Sequence, residues 1–170
     1  GRIESQHFQG EFNERNLASF VEDFYKQNAY LFQGASIRVE IPEGNEFYAS
    51  INESLFEMLL INLATNAIKY NESTVPELVI VFEKNAKHIG IKFVDNGIGI
   101  ERNQRKKIFK KFYQTAHSNI KSIQGSGLGL YLVQNIVQVH KGNIKISNYG
   151  VGHGATFLIT LPVVSSIVGN

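Results

Sequence analysis

Asn62-Leu63-Ala64-Thr65-Asn66-Ala67-Ile68-Lys69-Tyr70 closes a long helical pattern that Asn52 or Ser54 opens, and its two faces decide how the rest of the chain must be arranged. At about 100° per residue, Asn62, Asn66 and Lys69 fall on one stripe, while Phe56, Leu60, Leu63 and Ala67 fall on another. The apolar stripe faces a core, and the polar stripe runs beside it. Amide oxygens are hard ligands that suit Mg²⁺ when phosphates bring the negative charge. A lysine ammonium gives the same phosphates a point charge. The three residues also read as the polar edge of a surface helix, and the helix alone does not separate the two readings.

Outward from this helix the pattern alternates between strands and helices. On the upstream side, residues 1 to 12 are polar with scattered Ile3, Phe8 and Phe12. A helix is expected from about Glu14 to Phe32, capped by Asn13, because Leu17, Phe20, Val21, Phe24 and Leu31 recur at helical spacing. Ile37 to Ile41 alternates as a strand ended by Pro42, and Phe47 to Ile51 reads as a second short strand.

Downstream, Leu78 to Glu83 and Ile89 to Val94 read as strands joined at Asn85-Ala86-Lys87. Glu101 to Phe109 reads as a short, strongly basic helix, and residues 110 to 126 show no period and are expected to form a mobile loop. Leu128 to His140 reads as a helix closed by Gly142, and Asn143 to Ser147 with Thr156 to Leu161 as a final strand pair. The mixed order predicts an α/β fold of the two-layer α+β sandwich type, with a mixed sheet packed on about three helices.

Composition narrows the class. The 170 residues suit one domain, and a formal net charge of +2 argues for neither nucleic acid nor membrane. The chain has no cysteine, which excludes disulfides and thiolate metal sites and fits the cytoplasm. No apolar run approaches the roughly 18 residues that span a bilayer, and no signal peptide opens the chain.

Three further stretches carry candidate chemistry. Asp95-Asn96-Gly97-Ile98-Gly99-Ile100 follows the strand Ile91 to Val94. A strand-end carboxylate can accept the exocyclic amine of adenine, and the glycines let the backbone approach a flat base. Asn-Gly is equally a hairpin signal, although a helix-like segment rather than a strand follows it. Gly125-Ser126-Gly127-Leu128-Gly129-Leu130 opens a helix, where free N–H groups can bind an anion; a glycine triplet is also a plain turn. Gly152-His153-Gly154-Ala155-Thr156-Phe157 leads into the last strand, and Thr156 offers a hydroxyl. No Gly-Lys-Ser/Thr, His-Arg-Asp or Asp-Phe-Gly sequence is present, which excludes a P-loop and a eukaryotic-type protein kinase. The glycine spacing is not that of a dinucleotide fingerprint.

In this order, these stretches resemble the boxes of the Bergerat-fold superfamily, and most of all the catalytic ATP-binding domain of bacterial sensor histidine kinases. Asn62 to Tyr70 is similar to the N box and Asp95 to Gly99 to the G1 box. Ile108-Phe109-Lys110-Lys111-Phe112-Tyr113 is similar to the F box, Gly125 to Leu130 to the G2 box, and Gly152 to Phe157 to a terminal glycine box. The resemblance implies that Asn66 with Asn62 holds Mg²⁺, that Lys69 and Lys111 lie near phosphate, and that Tyr70 and Tyr113 pack near ribose and base. It implies that Asp95 bonds adenine, with Gly97 and Gly99 shaping the pocket and Thr156 beside it. Gly125, Gly127, Leu128, Gly129 and Leu130 would form a lid and its phosphate contacts. The substrate implied is ATP, and the partner is the dimerisation and histidine-phosphotransfer domain of the same kinase, with a response regulator further on.

One departure stands out: Gln114 occupies the place where the family often has an arginine that reaches the γ-phosphate. A bidentate contact is lost there, and Lys110, Lys111 or Lys121 offers only a point charge.

The resemblance also bears on the reaction. ATP-hydrolysing members carry a glutamate four residues before the Mg-binding asparagine. Here that position is Asn62, which cannot accept a proton, and Glu57 lies on the opposite side of the helix. No residue of this chain is therefore expected to act as general base, and catalysis is expected to rest on positioning and charge stabilisation.

The family's acceptor histidine is followed by an acidic residue. His7, His88, His117, His140 and His153 precede Phe, Ile, Ser, Lys and Gly, so none qualifies. Residues 1–11 are read as a remnant of the linker from the dimerisation helices and 12–170 as the catalytic domain, which by itself is expected to be monomeric. Arg102, Arg105, Lys106 and Lys107 are read as a solvated face or a partner surface, and no nucleic-acid module is recognised.

Overall fold

The computed structural model describes residues 11–111, 129–148 and 153–164. Strand β1 spans Asn13–Asn16, helix α1 Leu17–Gln27, β2 Ser36–Glu40, β3 Tyr48–Ile51 and helix α2 Glu53–Lys69. The strands β4 (Glu77–Lys84) and β5 (His88–Asp95) follow, then helix α3 (Gly129–Val139), β6 (Asn143–Asn148) and β7 (Thr156–Pro162).

Five strands form one mixed sheet in the order β2-β4-β5-β7-β6, with β2 parallel to β4 and the other neighbours antiparallel. A parallel pair needs a long crossover, and α2 lies within it. On one face of the sheet, Ile80, Phe82, Ile89, Ile91, Phe93, Phe157, Ile159 and Leu161 are buried. They share a single core with Leu17, Val21 and Phe24 of α1, Phe56, Leu60, Leu63 and Ala67 of α2, and Val133, Ile136 and Val137 of α3. The expected two-layer α/β architecture forms, with three α-helices among the described residues, and the apolar stripe read on α2 is the one that is buried.

The first expected helix is corrected. Asn13–Asn16 pairs antiparallel with β3 instead of turning into helix. The sequence Asn-Glu-Arg-Asn has no apolar face for a helix to bury. The cap is Asn16, whose side chain accepts from the Ala18 N–H at 3.2 Å, so α1 begins where the apolar period begins, at Leu17. The helix stops at Asn28, whose backbone and side-chain N–H groups both donate to the Phe24 carbonyl. A 3₁₀ turn, Ala29–Phe32, follows, and Leu31 is exposed rather than part of a buried stripe. The cap of α2 is Asn52, which accepts from the Leu55 N–H at 3.0 Å.

Two smaller expectations change as well. The basic stretch forms two 3₁₀ turns, Arg102–Gln104 and Lys107–Phe109, rather than one helix. Like charges at i and i+4 (Arg102 with Lys106, Lys107 with Lys111) oppose a continuous helix, and Ile108 alone among Arg102–Phe109 is buried. After α3 the positive φ of 61° belongs to Lys141. Gly142 is required for close approach: a Cβ there would lie 2.4 Å from the Thr160 carbonyl oxygen of β7.

Candidate nucleotide site

Strand β5 ends in Asp95 on the same face as Ile91 and Phe93, toward the helices. Its Oδ1 accepts from the Gly97 N–H at 2.8 Å and from the Ala155 N–H at 3.1 Å. Among the described residues, nothing is bonded to Oδ2. Burial pushes the carboxyl above its ordinary value, opposed by those two N–H bonds. A partly buried carboxylate with one oxygen held by two backbone donors can offer its other oxygen to a neutral N–H donor of a ligand.

The turn after Asp95 rests on the end of α2. The Ile98 N–H donates to the Tyr70 carbonyl at 2.9 Å. A Cβ on Gly97 would lie 2.4 Å from that same oxygen, so only glycine lets the turn sit so close. Gly99 has a φ of 82°, in the region that favours glycine. Behind the turn, Gly154 has a φ of 96°, and a Cβ on it would fall 2.0 Å from the Asp95 carbonyl oxygen.

On α2, Asn62, Asn66 and Lys69 are half-buried along one stripe. Asn62 donates through Nδ2 to the Met58 carbonyl at 2.7 Å. Its Oδ1 points to the start of α3, 3.4 Å from where a Gly129 Cβ would be. Asn66 makes no side-chain hydrogen bond among the described residues. The Lys69 ammonium lies 5.2 Å from the Tyr70 ring centre, and burial lowers its pKa from the ordinary value. These amides offer oxygen ligands without negative charge. Among the described residues, no group of three or more His, Cys, Asp or Glu is placed to hold a metal. Mg²⁺ therefore fits this stripe only together with an anionic ligand such as phosphate.

The structure thus sets the Asp95–Gly99 turn against Tyr70, the C-cap of α2, and Gly129, followed by Leu130 at the start of α3, beside Asn62, with Asn66 and Lys69 on the helix between. The Lys111 ammonium lies 5.7 Å from the Tyr131 ring centre on α3. Tyr113, Gly125, Gly127 and Leu128, and with them the expected lid, lie outside the described residues.

Thr156 is corrected. It pairs with Val94, and the pleat puts both on the sheet face away from Asp95. The residue opposite Asp95 is Ala155, which exchanges two hydrogen bonds with it. Sequence reading also missed Asn96, whose side chain ties the turn to the chain after α2. The Gly-His-Gly-Ala-Thr run gave the neighbourhood, but only the β5–β7 register assigns the faces.

A mixed sheet covered on one face by helices, with an amide-bearing helix facing a strand-end aspartate turn, defines the class of Bergerat-type ATP-binding domains. The chain belongs to the family described as histidine kinase-, DNA gyrase B- and HSP90-like ATPases, whose profile matches residues 51–165. Its relatives include the sensor protein KdpD of Clostridium acetobutylicum, 32% identical over 142 residues. Another is the sensor protein kinase WalK of Staphylococcus epidermidis, 34% identical over 125 residues. The matches cover 84% and 72% of this chain but only 15% and 20% of those proteins, so the chain spans a minor part of their length.

Solved structures share the fold. The catalytic domain of the histidine kinase ThkA superimposes with a TM-score of 0.73 at 23% identity, covering 91% of this chain and 99% of that one. Full-length ShkA in complex with AMPPNP gives 0.75 at 18% identity, covering 91% of this chain and 32% of that one. No helix among the described residues is long and apolar enough to cross a membrane.

Proposed function

We propose that this chain binds Mg-ATP between α2, the Asp95 turn and the start of α3. It then donates the γ-phosphoryl group to a histidine on the dimerisation domain of a sensor histidine kinase, which passes it to a response regulator. The observation that carries this reading is Asp95: two backbone N–H groups hold one oxygen, and the other is left for the amine of adenine. The sensor-kinase relatives and the AMPPNP complex of ShkA support it.

Asn66 and Asn62 would hold Mg²⁺, which would offset the charge of the transferring group. Lys69 and Lys111 would add point charges, and the start of α3 would lie beside the phosphates. Tyr70 and Tyr113 would pack near the ribose and base, with Gly125, Gly127, Leu128 and Leu130 in the lid. Asn62 cannot remove a proton, and Glu57 is exposed on the far side of α2, so water is not activated. Phosphoryl transfer then depends on alignment with an imidazole that is already nucleophilic. The site would be cytoplasmic, where ATP is present.

Calorimetric titration with Mg-ADP tests the site. Binding by the wild type that weakens at least about tenfold (about 1.4 kcal/mol) in Asn66→Ala supports it; equal binding by both, or none by the wild type, overturns it. Gln114 in place of the expected arginine favours a second reading, a nucleotide-binding module without transfer. Phosphohistidine on a dimerisation domain supplied in trans decides between the two.

A further inference from the structure

The side chain of Asn96 makes bonds that a simple turn former does not. Within the Asp-Asn-Gly turn, the local Asx bond belongs to Asp95, which accepts from Gly97 two residues on. Asn96 reaches instead to the segment between α2 and β4. Its Oδ1 accepts from Asn71 Nδ2 and from the Glu77 N–H, both at 2.7 Å, and its Nδ2 donates to the Val75 carbonyl at 3.2 Å. Its backbone adds two ties: the Asn96 N–H donates to the Glu77 carbonyl at 3.3 Å, and Ser73 Oγ donates to the Asn96 carbonyl at 3.1 Å. Asn71 is fixed in turn, because its Oδ1 accepts from the Ser73 N–H at 2.8 Å.

Little else orders that segment. Glu72, Ser73, Thr74 and Val75 are all exposed, so apolar burial does not fix their course. Yet this segment leaves directly from Tyr70, the end of the helix that carries Asn62, Asn66 and Lys69. Asn96 therefore adds a side-chain connection, beside the Ile98–Tyr70 bond, between the two halves of the site: the turn that presents the Asp95 carboxylate, and the end of the helix that presents the amides.

We infer that Asn96 is a positioning residue for the nucleotide, holding the base-binding turn at a fixed separation from the metal-binding helix so that both ends of one ligand are engaged together; this rests on the nucleotide reading above. The physical gain is that of two linked binding events. Once adenine is seated, the metal-bound phosphates find their ligands at high effective concentration only if the separation is right. The side-chain bonds of Asn96 all go to Asn71, Val75 and Glu77, none of them a residue assigned to either end of the ligand.

The test is calorimetry on the whole chain with three probes: adenosine, ADP, and ADP with Mg²⁺. For Asn96→Ala, adenosine affinity is expected to stay within about twofold of the wild type, whereas the Mg²⁺-dependent gain in ADP affinity falls roughly tenfold. Asn71→Ala removes two bonds of the same network, to Asn96 and from Ser73, while leaving the turn its own residues. It is expected to show the same pattern more weakly, and it carries the test if Asn96→Ala does not fold. Loss of adenosine and Mg-ADP binding in equal proportion would mean that Asn96 only maintains the base pocket, and an unchanged Mg²⁺ gain would mean that it positions nothing; either result overturns the inference. Failure of the wild type to bind Mg-ADP would sink the nucleotide reading itself, and this inference with it.

Discussion

His140 predicts how this fold responds to acid. The side chain is only 5% exposed, at the end of α3, between the rings of Phe12 and Phe56. Its Nε2 accepts from the Asn52 N–H at 3.0 Å, so the ring is neutral and Nδ1 carries the proton that it donates to the Ile136 carbonyl at 2.8 Å. Protonation would turn Nε2 into a donor facing a donor, at the capping residue of α2. Burial lowers the imidazole pKa below its ordinary value of 6.5, only partly opposed by the bond to Ile136. The unfolded chain therefore takes up this proton at higher pH than the folded one. The stability that depends on neutral His140 is intact above the ordinary value and is lost as pH falls toward the folded one. The slope in that window is at most about 1.4 kcal/mol per pH unit.

His140→Phe keeps a ring between Phe12 and Phe56 but leaves the Asn52 N–H unpaired, which costs about 1–3 kcal/mol near neutral pH. Urea unfolding of both proteins at several values between about pH 8 and pH 5 is the assay. The wild type should start more stable and lose that advantage as pH falls. Parallel loss of stability in the two proteins would refute the argument, because every other ionisable group is common to both.

Two other substitutions separate stability from binding. In Asp95→Asn the amide oxygen still accepts from Gly97 and Ala155. The raised carboxyl means that ionisation disfavours the fold as pH rises through the folded value, so removing it should leave the thermal midpoint at neutral pH equal or higher. Mg-ADP affinity in the same variant should fall by at least about tenfold, because no carboxylate remains to accept the adenine amine. Gly154→Ala combines a φ of 96° with a Cβ at 2.0 Å from the Asp95 carbonyl oxygen, whereas Gly34→Ala has a similar φ of 88° in open space. Urea midpoints should show Gly34→Ala losing about 1–2 kcal/mol from backbone strain, and Gly154→Ala losing clearly more, with nucleotide affinity reduced alongside.

Much of this protein is legible in its residue order, because the features concerned are local. The 3.6-residue period sets Phe56, Leu60, Leu63 and Ala67 on one face of α2 and the amides beside it, whatever else the chain does. The alternation in Ile89–Val94 marks a strand with Asp95 at its end, and the glycines around it mark a turn, with close backbone approach at Gly97 and Gly154 and a positive φ at Gly99.

What the tertiary structure decided are the relations between segments. Whether Asn13–Asn16 is helix or strand depended on β3 offering its edge. Whether Ala155 or Thr156 faces Asp95 depended on the β5–β7 register, since a shift of one residue reverses the face. Asn96 bonds to residues about 20 positions away, and His140 to one 88 positions away, so no window of sequence contains both partners of either contact. Periodicity and capping are written within a few residues of chain, while a hydrogen bond between distant segments exists only once the shared core has brought them to within 3 Å or so.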